Sequence, residues 1–198
     1  MAMSPVISLE ELKVKLRAAP DATRRRLYFA ALLARAAGIP TDDFIVVGGS
    51  AIEIYTVGEY TSGDIDIVSG RHERLRSVLS AWDFRKDGRV WVGNDLGFVV
   101  DLNRDPYTGD FQKTTIVTTP YGPVRLAAIE DLIVKRLVSA KYWKEPHDFD
   151  HAKLLAAGFA DRIDWDYIER FASQKDVADF LARLREAVAQ YAKGRKQS

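Results

Sequence analysis

The chain has 198 residues, is 47% hydrophobic and 29% charged, and carries a net charge of +1. Those are the values of a soluble globule able to bury a core of its own. With no cysteine and three histidines, disulfides, thiolate metal sites and a cysteine nucleophile are excluded, and a histidine-rich zinc centre has little to draw on.

No run of about 18 apolar residues exists, so no membrane association is expected. The N-terminus lacks a secretory pattern, and the expected compartment is the cytoplasm. Met1-Ala2 ahead of Met3 reads as an added leader. Ser8-Leu9-Glu10-Glu11 has the form of a capping box opening a helix toward Ala18. A second helix runs from about Ala22 to Ala37 and is stopped by Gly38 and Pro40. Phe44 to Val47 is a short apolar strand entering Gly48-Gly49-Ser50, and Ala51 to Val57 a short helix. Gly58 to Gly63 is a loop. A strand follows over Asp64 to Val68, then a helix over His72 to Trp82. Phe84 to Lys86, Val90 to Val92 and Phe98 to Leu102 read as strands joined by Asp-Gly and Asn-Asp turns. Thr114 to Thr119 is a further β segment, ended by Pro120 and Gly122-Pro123. The rest is helical: Ile129 to Trp143, Phe149 to Ala157, Asp164 to Ala172, and Asp176 to Ala192, the last two with an aspartate cap. The pattern predicts an α+β protein with N-terminal helices (1–43), a mixed-sheet core (44–126) and a C-terminal helical bundle (127–198).

Three segments carry chemistry. In Val47-Gly48-Gly49-Ser50, two glycines let the backbone approach a ligand closely. The amides of Gly49 and Ser50 then lie near a helix N-terminus, where phosphates bind, and the Ser50 hydroxyl adds a donor. In Asp64-Ile65-Asp66-Ile67, strand alternation puts both carboxylates on one face and both isoleucines on the other. Two such charges at roughly 6 Å repel by roughly 3 kcal/mol at an effective dielectric of 20, a cost that a bound Mg²⁺ or Mn²⁺ would relieve. Asp101 is a carboxylate inside the Val-rich strand Phe98 to Leu102, suited to take a proton from an attacking hydroxyl or to hold a second metal.

Taken together, Gly49-Ser50, Asp64-Ile65-Asp66-Ile67 and Asp101 resemble the signature of the polymerase-β-like nucleotidyltransferase superfamily. Downstream, Ile129-Glu130-Asp131-Leu132-Ile133-Val134-Lys135-Arg136 resembles the lysine-bearing helix of AbiEii and MenT-type nucleotidyltransferase toxins, found in bacterial toxin–antitoxin modules. Glu145-Pro146-His147-Asp148-Phe149-Asp150 resembles their later acidic motif, with His147 in place of the usual lysine. The resemblance implies a metal-dependent enzyme that moves a nucleoside monophosphate from a nucleoside triphosphate to RNA, at the 3′ end of tRNA. It implies Asp64 and Asp66 as metal ligands, Lys135 on the triphosphate, and either Asp101 or Asp148 as the third essential carboxylate. It also implies a cognate antitoxin that binds the enzyme or phosphorylates a hydroxyl such as that of Thr41 or Ser50, where a phosphate of about −1.5 to −2 charge would repel the triphosphate. The clusters Lys13, Lys15, Arg17, Arg24-Arg25-Arg26 and Lys193, Arg195, Lys196 are candidates for an RNA grip. Small-molecule or protein nucleotidylation, and a non-catalytic antitoxin-like module, are the rival readings.

Overall fold

The computed structural model describes residues 7–195. It is an α+β protein that divides into two compact units, one up to Ala127 and one from Ala128.

Among the described residues, the first unit is a seven-stranded mixed sheet with four helices. Helix α1 (Leu9–Arg17) starts as expected: the Glu11 amide donates to Ser8 Oγ, and the Ser8 amide donates to Glu11. Helix α2 (Ala22–Ala36) is capped by Asp21, which accepts from the Arg24 amide at 2.7 Å. Its apolar residues are too many for one stripe, and Leu27 to Ala34 lie mostly inside the unit. Phe29 anchors it, its ring 4.8 Å from that of Phe98 and 5.5 Å from that of Phe84.

Strand β1 (Ile45–Val46) leads into α3 (Gly48–Tyr55), then β2 (Ile65–Val68) and α4 (His72–Ala81). Strands β3 (Arg85–Asp87), β4 (Val90–Gly93) and β5 (Phe98–Asn103) form an antiparallel meander. Strands β6 (Thr115–Thr119) and β7 (Gly122–Leu126) form a hairpin. The order across the sheet is β3-β4-β5-β2-β1-β7-β6. Strand β2 runs parallel to β5 and antiparallel to β1, and β7 lies parallel to β1.

Strand β7 was not expected, because Gly122-Pro123 reads locally as a breaker. The proline is tolerated because β1 reaches only Arg125 and Leu126. At Pro123 the strand has no neighbour on that side, and the missing amide breaks no ladder there. Helix α3 also starts earlier than Ala51, at Gly48, so both glycines lie in its first turn.

The second unit holds α5 (Ile129–Tyr142), α6 (Pro146–Gly158), α7 (Trp165–Gln174) and α8 (Ala178–Arg195). Helix α6 begins before Phe149, with Pro146 pre-set for the first turn. Asp164 caps α7, accepting from the Tyr167 amide at 2.9 Å. The expected cap role of Asp176 is not what the structure shows. It has a φ of 54° ahead of α8, and its carboxylate accepts from the Tyr142 hydroxyl. Among the described residues no helix is long and apolar enough to cross a membrane.

Candidate active site

The site is built around β2. Ile65 and Ile67 point into the core and are fully buried, which turns Asp64 and Asp66 to the other face. The parallel register sets Asp66 opposite Asp101 on β5. Asp64, Asp66 and Asp101 each offer a carboxylate oxygen, and the three oxygens lie within 4.8 Å of one another. Asp101 is only 5% exposed. The exposed Arg89, at the β3–β4 turn, reaches it at 3.2 Å.

The Gly48 turn abuts these carboxylates. Gly48 has a φ of 57°, and a Cβ there would come within 2.4 Å of Asp66 Oδ2. A side chain is therefore excluded twice, by backbone conformation and by space. A Cβ on Gly49 would lie 2.8 Å from Ser62 Oγ and 3.0 Å from the Tyr60 hydroxyl. The amides of Gly49 and Ser50 belong to the first turn of α3, where a helix offers donors to an anion.

Ser50 is engaged differently from the expectation of a phosphate donor. It is buried, and its hydroxyl donates to the Val47 carbonyl at 2.9 Å and accepts from the Asp66 amide at 3.1 Å. The side chain fastens the turn to β2, and its single proton is already committed. Burial also puts the hydroxyl out of reach of a modifying enzyme. Thr41 is half-buried in a short 3₁₀ turn (Thr41–Asp43) that precedes β1, whereas the glycine turn follows it.

A buried acid that local sequence reading passed over holds the approach to Asp64. Glu53 on α3 is 1% exposed. It accepts from the Ser62 amide at 2.8 Å and the Thr23 hydroxyl at 3.2 Å, and pairs with Arg26 at 3.3 Å. Ser62 in turn donates to the Asp64 carbonyl at 2.9 Å. The signal was present: a charge inside the apolar run Ala51-Ile52-Glu53-Ile54 demands partners.

The N-terminal bases are largely occupied. Lys13 pairs with Glu10 and Asp95, Arg24 with Asp21, and Arg26 with Glu53. Arg25 donates to the Leu96 carbonyl and lies over the Phe98 ring. These four are engaged within the unit. Lys196 and the side chains of Lys193 and Arg195 lie outside the described residues. Trp91 is buried, and the Tyr55 hydroxyl donates to the Ala127 carbonyl, so neither offers a free ring face for base stacking.

In the helical unit, Lys135 stands on the exposed side of α5. Desolvation by surrounding protein is the main cause that holds its ammonium below the usual lysine range; Asp131 opposes this and Lys175 adds to it. Asp148 lies within the first turn of α6, and Arg136 donates to it at 2.6 Å. Burial works against its charge. Even so, the Ser139 hydroxyl, the Arg136 guanidinium and His151 together hold the carboxyl below the usual aspartate range.

A family model described as "Nucleotidyltransferase of unknown function (DUF6036)" matches residues 29–197. The chain belongs to this family. No curated protein and no solved structure matches it. Membership supports nucleotidyl transfer as the general class of reaction, with a nucleoside triphosphate as substrate and a divalent metal. The donor set fits such an ion: three carboxylates and no softer ligand, which is the preference of Mg²⁺ or Mn²⁺.

Proposed function

We propose that this family member transfers a nucleoside monophosphate from a triphosphate to a hydroxyl of RNA, at Asp64, Asp66 and Asp101. The observation that supports this most is the convergence of three carboxylates within 4.8 Å beside the Gly48 turn. Like charges so close repel one another, a cost that a bound divalent ion would offset. Asp64, Asp66 and Asp101 would hold Mg²⁺ or Mn²⁺, which offsets the charge developing on the phosphates. The first-turn amides of α3 orient the triphosphate. Asp101, the most enclosed of the three, accepts the proton of the acceptor hydroxyl. The oxygen–phosphorus bond then forms as the bond to pyrophosphate breaks, and that electron pair leaves with pyrophosphate. Positioning and electrostatics do most of the work.

The finer assignment rests on the resemblance to AbiEii and MenT-type toxins: tRNA 3′ ends as acceptor, Lys135 as a cation for the triphosphate, and growth arrest restrained by an antitoxin. Asp148 then acts as a positioning residue for α5, through Arg136. Thr41 is the better candidate of the two for regulatory phosphorylation, because Ser50 is closed off.

The test uses the purified chain, Mg²⁺ or Mn²⁺, total tRNA and each of four α-labelled nucleoside triphosphates. Label is expected on tRNA and is expected to vanish in Asp66→Asn. Equal labelling by a folded Asp66→Asn protein would overturn the assignment. Label on a protein or a small molecule alone would overturn the choice of acceptor.

A further inference from the structure

Across the sheet, the Gly48 turn at the end of β1 and the β3–β4 turn lie on opposite flanks of the three carboxylates. Displacement at phosphorus runs in line, so the attacking hydroxyl arrives from the side opposite the leaving pyrophosphate. With the triphosphate on the Gly48 flank, the acceptor comes in from the β5–β4 flank.

On that flank a hollow of 310 Å³ opens beside Asp101, lined by Arg76, Lys86, Arg89, Trp91 and Arg104 among others. Four cations thus gather around one carboxylate in a chain whose net charge is +1. Asp87 and Asp105, their neighbours in sequence, do not line it. Arg76 pairs with Glu73 at 2.6 Å, and Arg89 with Asp101 at 3.2 Å. Lys86 and Arg104 are exposed and form no ion pair among the described residues. A cleft of one sign focuses its field on incoming charge of the other. A polycationic or neutral acceptor would gain nothing from it.

We propose that this hollow is the acceptor subsite, and that it grips the phosphodiester backbone of an RNA strand so that the strand's terminal hydroxyl meets Asp101. This rests on the nucleotidyl-transfer reading above. Lys86 and Arg104 bind backbone phosphates. Arg89 is 81% exposed along its side chain, so with a divalent ion compensating Asp101 it is free to turn to a phosphate as the strand enters. The same movement uncovers the Asp101 carboxylate for the acceptor proton.

The experiment titrates a labelled single-stranded RNA oligonucleotide into the full chain with Mg²⁺ over 50–200 mM salt. Lys86→Gln, Arg104→Gln and the double variant are compared with the wild type, and metal-dependent triphosphate binding is measured in parallel. For three neutralised phosphates, wild-type affinity should fall roughly 20-fold across that range, with a log–log slope near −2. Each substitution should reduce the slope by about 0.7 and weaken binding about fivefold near 100 mM salt. In transfer assays the KM for the strand should rise by more than kcat falls. Variants matching the wild type in affinity and slope would overturn the proposal and leave the transfer reading intact, as would a wild type that binds triphosphate but no RNA. A phosphopeptide displacing the RNA at equal affinity would overturn the nucleic-acid assignment. RNA binding that depends on Lys86 and Arg104, without triphosphate binding or transfer, would uphold the RNA grip and sink the transferase reading instead.

Discussion

Replacing Asp64 with asparagine removes one of three negative charges whose oxygens lie within 4.8 Å of one another. At that separation two unit charges repel by roughly 3.5 kcal/mol at an effective dielectric of 20, and by roughly 0.9 kcal/mol in bulk water. Asp64 and Asp66 are half-buried and Asp101 is nearly enclosed, so the working value lies between those limits. Asp64 takes part in two such pairs, and the substitution should relieve about 2–4 kcal/mol in metal-free buffer. The asparagine keeps the shape of the side chain, so the contact of Asp64 with Ser62 Oγ at 3.4 Å can persist. For a chain of this size 1 kcal/mol corresponds to about 2–4 °C in Tm. Asp64→Asn should therefore melt several degrees above the wild type in EDTA. Mn²⁺ at about 1,000-fold its Kd should close or reverse that gap, because an ion at that concentration stabilises the wild type by about 4.1 kcal/mol and the variant far less. Thermal unfolding with and without metal reads both effects. A variant less stable than the wild type in EDTA, or stabilised by metal to the same extent, would refute the idea that these carboxylates form a metal centre.

Three further outcomes are expected. Gly48→Ala should lower stability by roughly 1–2 kcal/mol through its left-handed backbone alone. The new methyl group, 2.4 Å from Asp66 Oδ2, should also displace that carboxylate and weaken metal-dependent stabilisation; an undiminished metal response in the melt would show that the turn and the carboxylate are independent. Glu53→Ala should destabilise by about 3 kcal/mol, because it leaves the half-buried Arg26 without its partner and the buried Ser62 amide without its acceptor. Metal affinity measured by titration should drop as the loop into Asp64 loosens. Asp148→Asn should lower stability by about 2–3 kcal/mol at pH 7. The folded chain holds the Asp148 carboxyl below its ordinary value, so its stabilisation is complete above about pH 4 and fades as pH falls through the lowered value. The gap between wild type and variant should therefore narrow in melts at pH 3, and a gap of equal size at both pH values would assign it to packing instead.

The alternation Asp64-Ile65-Asp66-Ile67 made the shared carboxylate face legible in the sequence, because side-chain direction in a strand is a matter of period alone. Gly48 and Gly49 were legible as a place where a side chain would be in the way. What they make room for, Asp66 on one side and Ser62 with Tyr60 on the other, was not. Strand β7 was hidden because a proline counts as a breaker until the shortness of β1 is known. Ser50 carried the right chemistry for a phosphate donor, but its geometry commits the hydroxyl to Val47 and Asp66.

By itself, the sequence determined which elements form and which residue types face the core, since period, caps and turns act over a few residues. Tertiary structure decided what those residues meet. Asp101 joins Asp64 and Asp66 through a parallel register between strands far apart in the chain. Glu53 finds Arg26 across two helices, and Lys86, Arg89 and Arg104 gather with Arg76 beside Asp101. Pairings of that kind depend on the path of the backbone between distant segments, and no local pattern records that path.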